Sequence, residues 1–144
     1  MLISSKKLED IWGIFCALHY LGDCGVGTKD FIEGEKRYAQ GVETSFKHGT
    51  LWAAAFDTQG IAFTLSGQGR YAKAIRVEAA AREQLKQAGI EPDGMYDFWD
   101  EWIETYIEGA KKVVGKERTI QYQEEGVNMG FEKAVEYALD FNKD

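Results

Sequence analysis

A glycine-rich segment in the first quarter of the chain contains residue types that could bind a phosphate group. It reads GDCGVGTKD over residues 22–30. A phosphate-binding loop of the form G-x-x-x-x-G-K-[ST] wraps backbone amides around the phosphates and places its lysine and its hydroxyl on the phosphates and on magnesium. Here the outer glycines keep the spacing, but Thr28 and Lys29 are transposed, and residues 8–21 have helical periodicity where a buried strand is required. We therefore predict a turn in which Gly22 ends one helix and Thr28 caps the next.

Four side chains in the first third of the chain are of the types that bind soft metals: Cys16, His19, Cys24 and His48. Structural zinc sites use ligands in closely spaced pairs, and this set contains only one such pair, Cys16-x-x-His19. Because His19 falls on the apolar face of its helix, it is predicted to be a partly buried core residue. The chain also lacks the short motifs of nucleophilic and metal-dependent hydrolases. No catalytic residue, metal ligand or cofactor is predicted from these residues.

A run of carboxylates, Asp100-Glu101-x-x-Glu104, has the spacing that places acidic groups on one face of a helix. It resembles the magnesium-binding motif of the all-α nucleotide pyrophosphohydrolases. The resemblance implies a Mg-dependent enzyme in which a second helix completes the metal site. The candidates for that second helix are Glu125 and Asn128, or Glu132, Glu136 and Asp140. This enzyme is one alternative function.

A second alternative arises at the turn Ser66-Gly67-Gln68-Gly69, which precedes a predicted helix from about residue 70 to 88. Arg70, Lys73 and Arg76 lie in the first two turns of that helix. Helix N-termini and cationic side chains both attract anions. The 66–76 turn and helix could therefore form a small anion- or nucleotide-binding module.

The strongest functional signal is an acidic helix that begins after Pro92-Asp93-Gly94. Between Lys86 and Lys111 there is no basic residue, and the segment contains seven acidic ones: Glu91, Asp93, Asp97, Asp100, Glu101, Glu104 and Glu108. Five of these project from one face of the helix, opposite an apolar stripe that includes Trp99 and Trp102. Like charges at this spacing destabilise a helix by about a few tenths of a kcal/mol per pair. A partner with a basic surface would compensate for that repulsion.

This helix leads to a functional hypothesis for the whole chain. The acidic face is expected to bind a basic, nucleic-acid-binding surface of another protein through Asp97, Asp100, Glu101, Glu104 and Glu108, with Tyr96 and Phe98 as aromatic anchors at its edge. An inhibitor, immunity or anti-defence protein of a phage or mobile element would have this size and charge. The hypothesis is a small acidic protein-interaction module.

Charge and composition limit the other classes of partner. The 144 residues contain 24 acidic and 17 basic side chains, a net charge of −7, which disfavours direct binding to nucleic acid or to an anionic membrane. The first ten residues lack the order of a signal peptide, and two cysteines are too few for a disulfide framework, so a cytoplasmic protein is expected. Exposed aromatic residues leave a homodimer possible.

Apolar periodicity predicts a mainly α, single-domain bundle of about five to six helices over residues 1–144. Helices are expected from about 5 to 21, from Thr28, from 70 to 88, after Gly94 and from 127 to 141. The segment 51–66 is ambiguous between helix and a small hairpin, although its three consecutive alanines favour helix. With that hairpin and a possible strand at 119–123, the chain would be α+β instead. No internal repeat is evident.

Overall fold

Every regular element of the structure is helical within residues 5–144, the range that the computed structural model describes, with side chains from residue 9 onward. The first four helices are α1 (Ser5–Gly27), α2 (Phe31–Lys47), α3 (Leu51–Gly67) and α4 (Tyr71–Gln87). The fifth, α5, comprises Asp97–Trp102, a π-helical segment Ile103–Glu108 and Gly109–Val114, and it is followed by α6 (Lys116–Met129) and α7 (Phe131–Leu139). The predicted mainly α fold is confirmed. The prediction that there is no signal peptide concerns the first ten residues. Residues 1–4 and the side chains of residues 5–8 lie outside the part of the chain that the structure describes.

Both β elements of the α+β alternative, the hairpin at 51–66 and the strand at 119–123, are wrong. The segment 51–66 forms one continuous helix, α3, and residues 119–123 lie inside α6. Thirteen of the 17 residues of α3 are buried, because α2, α4, α5 and part of α1 surround it. A helix that is covered on all sides has no polar face, and this explains why its periodicity was ambiguous in the sequence.

Three predicted helix ends are also wrong. α1 continues past Gly22 to Gly27, so the glycine-rich segment is helical and is not a phosphate-binding loop. The hydroxyl of Thr28 donates to the carbonyl of Cys24 at 2.7 Å and closes α1, whereas Asp30 caps α2 by accepting from the amide of Glu33. Near the C-terminus, the predicted 127–141 helix is divided at Gly130, whose φ of 78° interrupts the helical backbone.

Three turns of three residues join the first four helices, and the middle residue of each is in the left-handed region: Lys29, Gly49 and Gly69, with φ of 62°, 75° and 80°. Gly89, with φ of 75°, follows α4 at the same 20-residue spacing but begins the longer connection to α5. α2, α3 and α4 each contain 17 residues, and α1 to α4 pack antiparallel in sequence order. This regularity lies in helix length and turn position, so the expectation of no internal sequence repeat stays a prediction.

α5 departs from the stacked series and lies across α3 and α4. Phe63 of α3 contacts three aromatic rings of α5, and Ser66 donates to the backbone carbonyl of Tyr106 at 2.6 Å. α6 and α7 then cover the outer side of α4. Among the described residues, no helix is both long enough and apolar enough to cross a bilayer.

Candidate functional site

The first turn of α5 is fixed by a buried polar chain that begins at Trp99. Its indole nitrogen donates to the side-chain carbonyl of Gln59 at 2.9 Å, and the amide of Gln59 donates to Glu78 at 3.2 Å. Arg82 connects Glu78 to Asp93, which precedes α5, with distances of 2.8 Å on both sides. Gln59 and Glu78 are almost fully buried, so each depends on this chain for its hydrogen bonds. The acidic helix is therefore held in one orientation.

Three of the five predicted acidic residues of α5, Asp97, Glu101 and Glu104, are exposed, whereas Asp100 and Glu108 are half-buried. The five also differ in what they contact. Asp97 and Glu101 are exposed and have no ion pair among the described residues. Asp100 instead accepts a hydrogen bond from the amide of Gly94 at 2.8 Å. Glu104 pairs with Lys112 at 3.8 Å, and Glu108 pairs with Lys111 at 2.8 Å. The free negative charge is concentrated at the start of the helix.

The predicted aromatic edge lies at that same end of α5. Tyr96 and Phe98 are 58% and 43% exposed, and their rings stack 5.7 Å apart with an angle of 26° between their planes. Phe98 also contacts Trp102 edge to face at 5.2 Å. The exposed rings and the acids of the first two turns thus lie at the same end of α5, and we call this set the α5 acidic surface: Tyr96, Asp97, Phe98, Asp100, Glu101 and Glu104. Glu108, which is half-buried and paired with Lys111, is not part of it.

The carboxylate motif does not gain the second helix that the pyrophosphohydrolase resemblance requires. No group of three or more potential metal ligands with suitable geometry occurs among the described residues. Glu125, one candidate from the second helix, pairs with Arg76 at 2.6 Å on the other side of α4. The magnesium alternative therefore has no support among the residues that the structure describes.

The three cations of the anion-binding alternative contact the C-terminal part of the chain. Arg70 pairs with Asp144 at 2.6 Å. Lys73 is 1% exposed and donates to two backbone carbonyls, those of Asp140 (2.7 Å) and Lys143 (2.5 Å). Arg76 pairs with Glu125, and its guanidinium group stacks on the ring of Tyr122 in α6. Arg76 also lines an open depression of about 580 Å³, which contains acidic and basic side chains in similar numbers. An anion would have to displace these partners, so anion binding remains only a prediction.

Sequence reasoning missed a buried polar network at the junction of α1, α2 and α3. His19 of α1 donates from Nδ1 to Asp57 of α3 at 2.5 Å, and its Nε2 lies 3.5 Å from Asp23. The hydroxyl of Tyr38 of α2 donates to Asp23 at 2.5 Å. Asp57 and Tyr38 are fully buried, and the second oxygen of Asp57 has no hydrogen-bond partner within the described part of the chain. Four titratable side chains from three helices thus form one connected, largely buried network.

Three glycines make room for this network. A Cβ on Gly41 would lie 2.0 Å from the unpaired oxygen of Asp57. Gly22 and Gly60 both lie against the Tyr38 ring, and a Cβ would approach it to 2.4 Å from Gly22 or to 2.7 Å from Gly60. The isolated acid Asp57 within the apolar segment LWAAAFDTQG was the one sequence signal for the network, since an unpaired carboxylate is costly to bury.

The network changes the proton affinity of its members. Burial lowers the pKa of His19, but the hydrogen bond and the negative charge of Asp57, together with Asp23, outweigh burial and leave that pKa raised. Burial raises the pKa of Asp57 to about 6, although the bond from His19 opposes this effect. Burial also raises the pKa of Asp23. The folded protein therefore holds protons here that the unfolded chain releases.

A pH dependence of stability follows from these directions. The stabilisation due to His19 is complete below its unfolded pKa and is lost as the pH rises through its higher folded pKa. We expect the free energy of unfolding to fall above about pH 6.5, by at most about 1.4 kcal/mol per pH unit for one proton. Denaturant titrations of the wild type and of the double variant His19→Gln with Asp57→Asn, which removes both coupled titrating groups, should show this slope only in the wild type. His48→Gln, at an exposed histidine, is the control. Equal slopes for the wild type and the double variant would contradict the assignment.

Comparisons of the chain with protein-family models, curated proteins and solved structures returned no match. A proposal about function therefore depends on the geometry alone.

Proposed function

We propose that this chain is a protein-interaction module that binds a basic surface of a partner protein through the α5 acidic surface. The observation that carries the proposal is the exposed, stacked pair Tyr96 and Phe98 beside the two unpaired carboxylates Asp97 and Glu101. Aromatic rings are enriched in the centres of protein interfaces, where they bury large area for little loss of side-chain entropy. Carboxylates beside them select a cationic partner.

The rigidity of the α5 acidic surface also supports binding. Trp99 is 3% exposed and ties the first turn of α5 to α3 through Gln59, while Asp100 fixes the preceding loop through Gly94. A surface held in its binding conformation loses less entropy on association.

The chemistry of the α5 acidic surface defines the class of partner. Lysine and arginine side chains would pair with Asp97 and Glu101, and a guanidinium group would also stack on Tyr96 or Phe98. Clustered cations of this kind form nucleic-acid-binding grooves. The biological role that we propose is that of an inhibitor, immunity or anti-defence protein of a phage or mobile element. Such a protein would occupy the groove in place of the nucleic acid.

The experiment compares partner capture by four immobilised proteins. Asp97→Lys with Glu101→Lys reverses the two carboxylates that have no internal partner, and Tyr96→Ala with Phe98→Ala removes the aromatic edge. The matched control, Glu124→Lys with Glu132→Lys, makes the same charge change at exposed positions of α6 and α7. We expect the wild type and the control to retain a basic protein that both α5 variants lose, and to release it between about 0.05 and 0.5 M salt as charge screening increases.

Circular dichroism establishes that each variant is folded before capture is interpreted. If the folded charge-reversal variant retained the same partner as the wild type, the α5 acidic surface would not be the binding site. A rise in melting temperature with magnesium or phosphate would instead favour one of the two ligand-binding alternatives.

A further inference from the structure

The ring of His19 connects the buried polar network of α1, α2 and α3 to the first turn of α5. Its centroid lies 5.8 Å from that of the Trp99 ring, and the two ring planes make an angle of 33°. Trp99 in turn anchors α5 through its hydrogen bond to Gln59 and its edge-to-face contact with Phe63. A change at His19 therefore acts directly on the side chain that anchors α5.

The geometry around His19 suits an imidazole ring whose two nitrogens both take part in hydrogen bonds to acids. Nδ1 lies 2.5 Å from Asp57 and Nε2 lies 3.5 Å from Asp23, so a carboxyl group faces each nitrogen. A neutral ring has a proton on one nitrogen only, and it turns a lone pair towards the other carboxylate. Both contacts are therefore favourable only while the network holds an additional proton.

The surroundings of His19 provide no cation that could replace this proton. The groups that face the ring are Asp23 and Tyr20 of α1, Tyr38 of α2, Asp57 of α3 and the uncharged indole of Trp99 of α5. Within the described part of the chain, no lysine or arginine acts on the pKa of His19. The charge balance of the network therefore changes when a single proton is lost.

We propose that this network is a pH switch for α5, whose first turn is firmly anchored while the network is protonated and loosens when the proton is lost. A charged imidazole ring beside the Trp99 ring is attracted by its π electrons, and a neutral one is not. Proton loss also turns a lone pair of His19 towards a carboxylate and drives the ring from its position against Trp99. Burial lowers the pKa of His19, but Asp57 and Asp23 outweigh it, so the transition lies above about pH 6.5.

The switch regulates the α5 acidic surface, and its consequence for binding rests on the proposed function. A basic partner should bind more tightly below the transition, because the α5 acidic surface is then held in its binding conformation. The switch itself is a property of the free chain. It can therefore be tested with no partner present.

Amide hydrogen exchange of the full chain, followed by NMR between about pH 6 and pH 8.5, tests the switch. Protection factors, from which the intrinsic pH dependence of exchange is removed, report local opening. The amides of residues 100–103 are the first in α5 with helical hydrogen bonds, and residues 120–126 of α6, which packs on α4, are the internal reference. We expect α5 protection to fall roughly fivefold relative to α6 as the pH rises, the factor that corresponds to one lost cation–π contact.

Two variants assign the change to the network. His19→Gln with Asp57→Asn should make the ratio of α5 to α6 protection independent of pH, whereas His48→Gln, at an exposed histidine, should leave the wild-type behaviour unchanged.

A ratio that stayed constant with pH in the wild type would overturn the proposal, since the network would then affect only global stability, and this result requires no variant to fold. A pH-dependent ratio that persisted in the folded double variant would also overturn it. If the ratio changed as expected while the α5 charge-reversal variant still retained its partner, the switch would stand and the proposed function would fail.

Discussion

Replacing Gly25 by alanine should destabilise the protein by about 3 kcal/mol or more, because a methyl group at this position has no space. A Cβ on Gly25 would lie 2.4 Å from the Cα and 2.6 Å from the amide nitrogen of Gly34 in α2. Both obstacles are backbone atoms, so no side-chain rotation relieves the contact. α1 and α2 would have to separate, and the buried side chains between them would lose their packing.

The matched control is the same substitution at Gly13, earlier in α1. Gly13 is exposed, and a Cβ there would have no neighbour within 4 Å. Gly13→Ala should stabilise the protein by about 0.5 to 1 kcal/mol, because alanine loses less backbone entropy in a helix. Chemical denaturation of the two variants measures both effects. If both substitutions shifted stability in the same direction, the close approach of α1 and α2 at Gly25 would be wrong.

Replacing Trp99 by alanine should cost about 4 kcal/mol, since it removes a large buried side chain that anchors α5 to the core. The Trp99 ring is 3% exposed, lies 4.8 Å from Phe63 in an edge-to-face arrangement and donates a hydrogen bond to Gln59. Its loss would leave a cavity and an unpaired buried amide oxygen. Melting curves and denaturant titrations followed by circular dichroism measure the change.

Two further variants separate the contributions of Trp99. Trp99→Phe keeps most of the packing and removes only the hydrogen bond, so it should cost about 1 to 2 kcal/mol. Trp52→Ala removes a tryptophan that is 41% exposed and should cost clearly less than Trp99→Ala. If Trp52→Ala and Trp99→Ala were equally destabilising, α5 would not be anchored through Trp99. Loss of this anchor should also weaken partner binding, because the α5 acidic surface depends on the orientation of α5.

Apolar periodicity was informative where a helix has one buried and one exposed side. The stripe of α5 predicted its helix correctly, with Trp99 buried and with Asp97, Glu101 and Glu104 exposed. The π-helical segment Ile103–Glu108 then changes the register, and Ile103 and Ile107 are both buried. Lys111 and Lys112 follow this π-helical segment and pair with Glu108 and Glu104, two of the acids that were predicted to be free. Regular 3.6-residue spacing does not anticipate such a shift.

The helix ends were harder to predict, because glycine has two different uses in this chain. Gly49, Gly69 and Gly89 end helices by adopting positive φ. Gly22 and Gly25 instead lie inside α1, where the absence of a side chain admits Tyr38 and the backbone of α2. The residue type is the same in both cases, and only the neighbouring helix distinguishes them.

The sequence by itself determined the helical class, the concentration of acidic residues between Lys86 and Lys111 and the exposed aromatic edge of α5, because all three depend on residue types within a single segment. Only the tertiary structure decided that α3 is a central helix and that His19, Asp23, Tyr38 and Asp57 share one buried network. It also decided that Arg70, Lys73 and Arg76 contact the C-terminal part of the chain. These contacts join residues far apart in sequence, and their energy depends on burial and distance, which local patterns do not encode.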